Sequence, residues 1–206
     1  DYWYISNPGG SFVQTPNGRW ELSGAGSTQA PNAGSYGGTF GACSINNNFV
    51  VGTTQLRSAM NMFPWLSSMS GFTSFTISHR LRINNYDNGV VFRFGIMQNP
   101  DVANPTGLFF EYDAAVGFYR CRYNNGTNVG TFTTTVSRSS NFDTFQIEYN
   151  ATTQTAIFRI NGVQVHSTPY VLNSDQSRII TSITTTSALL GLVYIDYIHF
   201  VMNVTR

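Results

Sequence analysis

Lysine is absent from this chain: all 11 basic residues are arginine. Charge of either sign is scarce, at 10% of residues against about 25% in an average domain, and the net charge is +1. So weak a global field excludes electrostatic capture by nucleic acid or by an anionic membrane. The missing lysine fits codon bias, and it fits a surface selected for planar cations that stack and fork to acceptors. There are only 2 cysteines, Cys43 and Cys121, with no Cys-x-x-Cys spacing. Histidine and cysteine are too thinly spread for a zinc site. An even cysteine count in a polar chain allows one Cys43–Cys121 disulfide in an extracellular setting, and equally two core thiols. No 18-residue apolar run, signal peptide or basic tail is present, so membrane insertion is not expected. The chain opens at Asp1 without methionine and is read as a processed or excised piece. No window repeats apolar residues at helical spacing, which leaves under about 10% helix. No Gly-x-Ser-x-Gly elbow and no phosphate-cradling loop before a helix occurs.

Ser, Thr, Asn and Gly fill the place of charge, and aromatics reach 15%. This is the composition of pleated surfaces and turns. The clearest segment is 141–167. Phe145, Ile147 and Tyr149 alternate with Thr144, Gln146 and Glu148; Ala156, Phe158 and Ile160 alternate with Ile157 and Arg159; Asn161-Gly162 then leads into Val163-Gln164-Val165. Period two means strands with one buried face, and Asn-Gly tolerates the positive φ of a tight hairpin, so this is a three-strand antiparallel meander. Upstream, Phe75, Ile77, His79, Leu81 and Ile83 form one face of a long strand, with Thr76, Ser78, Arg80 and Arg82 on the other. Further strands are expected near 49–55, 90–98, 107–113, 117–123 and 190–203. Residues 60–66 read as a compact apolar loop or one helical turn. No repeat or linker divides the chain, so residues 1–206 read as a single β-sandwich domain, with 1–70 loop-rich.

A series of weak motifs in order carries a resemblance: the arginine-bearing strand 75–83, Val-Val-Phe-Arg-Phe-Gly (90–95), Gly-Leu-Phe-Phe-Glu-Tyr-Asp (107–113), and the aromatic-arginine strand 118–123 with Asn-Asn-Gly-Thr (124–127). Phe-Gln-Ile-Glu-Tyr-Asn (145–150), Phe-Arg-Ile-Asn-Gly-Val-Gln-Val (158–165) and Val-Tyr-Ile-Asp-Tyr-Ile (193–198) follow. Over residues 70–203 the chain resembles the concanavalin A-like lectin/glucanase sandwich, in the version carried on bacteriophage tail fibres and virion appendages. The resemblance implies an all-β, antiparallel two-sheet jelly roll. It implies a non-enzymatic structural or adhesion module, extracellular or on a virion surface. The expected partners are a glycan or host-surface receptor and other virion subunits, with a homo-oligomeric chain. A purely structural decoration protein is the alternative, and a polysaccharide hydrolase or lyase the second.

The expected ligand-binding residues are Arg93, Glu111, Arg120, Arg122, Tyr123 and Trp65, with no catalytic residue. Glu111 and Asp113 lie two apart on one strand and share a face; Glu148 is placed to join them. Glucanases that look like this fold carry a third acid on that strand, and here Ala-Ala-Val-Gly stands in its place. Structural pairing with Arg93, Arg120 or Arg122 is the expected role. The lyases carry Arg, His and Tyr on one sheet, a surface that Arg80, Arg82, Arg93, Arg120, Arg122 and Tyr123 are placed to supply. His79 sits on an apolar face and reads as core. No cofactor is expected; Ca²⁺ is the one candidate, through Asp87 and Asp101 in Asn-rich loops. Trp3, Trp20, Tyr36, Trp65 and Tyr123 are candidate sugar platforms. Asn125, Asn150 and Asn203 open glycosylation sequons.

Overall fold

The computed structural model describes residues 13–14, 20–24, 43–46, 51–58 and 60–205. Trp3, Tyr36 and the Trp20 side chain lie outside the described residues. Along the chain come β1 (Val13–Gln14), β2 (Trp20–Gly24), β3 (Cys43–Asn46), β4 (Gly52–Ser58), α1 (Met62–Ser68), β5 (Phe72–Tyr86) and β6 (Val90–Met97). They are followed by β7 (Gly107–Asp113), β8 (Phe118–Asn124), β9 (Val129–Ser137), β10 (Asp143–Asn150), β11 (Thr155–Ile160), β12 (Val163–Pro169), β13 (Arg178–Thr185) and β14 (Gly191–Val204). Eight strands form one sheet in the order β1-β2-β4-β13-β6-β7-β8-β9, and six form the other in the order β12-β11-β10-β5-β14-β3. Every pairing is antiparallel. The expected two-sheet sandwich is the observed fold.

Alternation builds the core. Phe75, Ile77, Leu81, Phe145, Ile147 and Phe158 line the inner face of the six-stranded sheet; Phe92, Phe94, Ile96, Leu108, Phe110, Tyr119 and Cys121 line that of the eight-stranded sheet. The rings interlock between sheets: Phe94 meets Phe145 at 4.6 Å, Tyr119 meets Phe145 at 4.7 Å and Phe110 meets Phe158 at 5.3 Å. Edge-on aromatic contact of this kind adds to what burial alone contributes. The hairpin between β11 and β12 turns on Asn161 and Gly162, both at positive φ (51° and 80°), as the dipeptide predicts. Residues 62–68 form a helix of about two turns, where a compact loop or one turn was expected. Pro64 sits in its first turn, where the missing N–H has no partner to lose, and Met62, Phe63 and Leu66 are buried.

Two strands were missed, one of two cysteine readings is set aside, and one expectation is corrected. Strands β9 and β13 were not legible from period two. β9 is exposed at most positions, and β13 is buried on both faces, so neither alternates cleanly. The disulfide does not form: Cys121 is a free thiol, fully buried on the inner face of β8. Cys43 lies on β3, which meets β4 and β13. β8 runs three strands beyond β13, about 14 Å away at the usual strand spacing and past the reach of a disulfide. The Cys43 side chain itself lies outside the described residues. Finally, Glu148 belongs to the six-stranded sheet, where its carboxylate accepts from Arg159 Nε at 2.9 Å, so it cannot join Glu111.

Candidate functional site

β6, β7 and β8 are neighbours, and their register sets Arg93, Glu111 and Arg120 in one row across the sheet. The adjacent positions on each strand, Phe92 and Phe94, Phe110 and Tyr112, Tyr119 and Cys121, point into the core. Arg93, Glu111, Arg120 and Arg122 therefore project from the outer face. Four of the six expected residues come together there. Glu111 accepts from Arg93 Nε at 2.8 Å, from an Arg122 terminal nitrogen at 2.8 Å and from Arg120 at 3.2 Å. Its side chain is 3% exposed. Asp113 takes a longer contact from Arg120, at 3.5 Å. Burial raises the Glu111 pKa, but the guanidiniums of Arg93 and Arg122 outweigh it and hold the carboxyl below its ordinary value.

The free ends of these arginines also have partners. Arg93 donates to the carbonyls of Pro100 and Val102, and Arg122 donates to the Ala103 carbonyl and to Asn104 Oδ1 at 2.7 Å. Asn124 Nδ2 donates to the Asn104 carbonyl. The loop between β6 and β7 is thus strapped onto the outer face. A second apolar cluster of Met97, Phe109 and Ile180, buried on the same face, lies beside it. Arg122 adds a cation–π contact to Phe109 at 5.9 Å.

The other two expected residues lie elsewhere. Tyr123 faces inward, beside Gly130, and stacks on His166 of β12 at 5.9 Å. Trp65 is half-buried on α1, packed against the core. The arginine set expected for a lyase is split. Arg80 and Arg82 project from the outer face of the six-stranded sheet, where both lie over the Phe142 ring and Arg80 pairs with Asp196. His79 is buried against Phe94, and desolvation lowers its pKa to about 3. Asp87 Oδ2 accepts from Leu190 N–H, which ties the β5–β6 turn to the loop before β14, and among the described residues no three His, Cys, Asp or Glu side chains gather as metal ligands.

What sequence reasoning missed is the loop end next to the strap. Three loops meet there: 98–106, 125–128 and 170–177. Asn125 Nδ2 donates to the Val171 carbonyl, Asn173 Nδ2 to the Asn125 carbonyl and to Asp175, and Tyr170 Oη to the Asn124 carbonyl. Asn104, Thr127, Asn128, Ser174 and Gln176 are exposed on this rim. The available signal was the Asn, Gln, Ser and Thr content of the three loops, which period-two reasoning passes over as turn chemistry.

No family profile matches the chain, and no curated protein matches it by sequence. Solved structures do. The carbohydrate recognition domain of Emp47p is 15% identical, covering 93% of this chain and 91% of its own, with a TM-score of 0.58. The legume lectin-like domain from Entamoeba histolytica is 10% identical, covering 97% and 99%, with a TM-score of 0.54. The alginate lyase AlyC3, solved with dimannuronate, is 9% identical over 80% of this chain and 76% of its own, with a TM-score of 0.52. The fold is that of concanavalin A-like lectins.

Proposed function

We propose that this chain is a non-enzymatic adhesion module of a virion or cell surface, acting outside the cell and binding a glycan or glycosylated receptor through its loop end. The observation that carries the reading is the convergence of three loops rich in Asn, Gln, Ser and Thr. Their rim offers neutral amides and hydroxyls, and the hydrogen bonds beneath hold it in place. That chemistry suits sugar hydroxyls, which are recognised by several neutral donors and acceptors on a pre-formed surface. The lectin fold supports the same reading. Glu111 supports the absence of catalysis, because its three cations hold the pKa down where a general acid needs it raised. A homo-oligomeric state within a larger appendage belongs to this proposal. The second reading, a structural decoration protein, is favoured by exposed Val129, Phe132 and Val163.

A glycan array on concentrated protein tests it, together with reducing-end release and unsaturated-product absorbance over a polysaccharide panel. We expect a retained glycan whose affinity falls about five- to tenfold in Asn128→Ala, the loss of about one hydrogen bond, with Arg159→Gln unaffected. No retained glycan moves the structural reading to first place. Sustained turnover that vanishes in Glu111→Gln makes the chain an enzyme.

A further inference from the structure

Arginine after arginine in this molecule is matched to an acceptor. Arg93, Arg120 and Arg122 share Glu111, Arg159 pairs with Glu148, and Arg80 pairs with Asp196. Arg138 donates to the carbonyls of Ile83 and Asn84, and Arg178 to Asn61 Oδ1 and the Ser58 carbonyl. Arg82 stands apart. Among the described residues it meets no carboxylate and no carbonyl, and its Nε is buried without an acceptor. Stacking holds it instead: the guanidinium lies over the Phe142 ring at 5.2 Å and the Tyr194 ring at 5.0 Å. A buried charged donor without an acceptor is costly to keep, so it calls for an explanation. Two rings also fix the plane of the fork, which lowers the cost of engaging a planar or tetrahedral oxyanion.

We propose that the outer face of the six-stranded sheet around Arg82 binds the carboxylate or sulfate group of an acidic glycan. This is a second site, separate from the loop end. Tyr170, at the rim, packs on Tyr149, which pairs with Phe75; Arg82 lies seven residues further along β5, about 24 Å away at the usual rise. Arg80 stands two residues from Arg82 on the same face, about 7 Å along the strand. Its side chain is 44% exposed and spends one terminal nitrogen on Asp196, so further donors remain. Arg138 adds positive charge at the next residues of β5. The acids nearby do not fill the fork. Asp196 is held by Arg80, and Asp143 pairs in register with Leu81 on the inward face, where it accepts from Ser139 and Asn161. The neighbouring rows favour a sugar over an acidic peptide. Tyr197, opposite Arg80 and 39% exposed, offers a ring face to sugar C–H groups. His199 stands opposite Ser78, whose hydroxyl accepts from Gln146, and together they supply hydrogen-bonding groups for sugar hydroxyls.

Isothermal titration of the 206-residue chain with uronate-bearing, sulfated and neutral oligosaccharides of one length reads the outcome. At least one acidic sugar is expected to bind, and comparing the two tells carboxylate from sulfate. Arg82→Gln should weaken that binding about tenfold or more, the loss of a charge-assisted fork. Arg82→Lys should lose nearly as much, because an ammonium keeps the charge but neither the fork nor the stacking. Arg80→Gln, at an exposed position that the fold does not depend on, should weaken it about threefold. Arg159→Gln, ion-paired on the same face, and Asn128→Ala, on the rim, should leave it unchanged, so this site and the loop-end reading fail separately. Unchanged melting shows that each variant is folded. A wild type that binds neither acidic sugar overturns the proposal, as does acidic-sugar binding that both Arg82→Gln and Arg80→Gln leave intact. A polyglutamate peptide that binds as tightly at this face overturns the glycan as its occupant.

Discussion

At the scale of single residues, Glu111 decides how the outer face of the eight-stranded sheet is read. Its carboxylate sits among Arg93, Arg120 and Arg122, and two of those guanidiniums run on to the 98–106 loop. Substituting Glu111→Gln keeps the shape and leaves buried positive charge uncompensated. We expect a loss on the order of 3 kcal/mol, read as a lower urea midpoint with unchanged slope. The pairing was legible, because period two puts Glu111 and the arginines on facing strands with the same outward sense. The strap was not legible, since no residue pattern in 98–106 says where a loop lies. The exclusion of Glu148 was equally hidden: sheet membership is decided by strand order, and its alternation looks the same on either sheet.

At the scale of elements, strands with one clean buried face, such as 143–150 and 155–160, were legible almost to the residue. The Asn161-Gly162 turn fixed a register as well as a reversal. β9 and β13 escaped for opposite reasons, one facing solvent along most of its length and the other surrounded by protein. The meeting of β6 and β7 carries a constraint of its own. Gly107 stands at φ +142°, and a Cβ there would strike the Ile96 carbonyl and Met97 Cα. Both contacts are backbone, so neither can swing aside. Gly107→Ala should therefore cost about 2 kcal/mol or more, through the strained φ and the parting of β6 from β7. Chemical denaturation checks the size. Lost protection of the β6–β7 amides in hydrogen exchange checks the place.

At the scale of the whole molecule, acid should be the weak side. His79 titrates at about 3 in the folded chain against 6.5 when exposed, so below about pH 6.5 the unfolded chain takes up a proton that the native one refuses. Stability is full above that value and falls as pH drops toward 3. Glu111, held below its usual value, acts in the same direction, but only below about pH 4.5. Between about pH 7 and pH 5 the histidine term predicts a loss of roughly 2 kcal/mol, and His79→Leu should remove most of it. Urea midpoints at the two pH values decide; an unchanged slope with pH in the variant would place the loss elsewhere. The fold class was legible because every layer of the sequence agrees on it, whereas the loop-end rim needs three segments distant in sequence to meet. Strand order has one more consequence, for biosynthesis. β13 lies between β4 and β6, and β14 between β3 and β5, so each sheet lacks an inner strand until residues 178–204 arrive. A ribosome that has delivered everything before Arg178 holds a chain with four inner edges bare, those of β4, β6, β3 and β5. Closure then waits on pairings between segments far apart in sequence, such as Tyr194 with Ser44, a slow step in which a chaperone or a neighbouring copy has time to intervene.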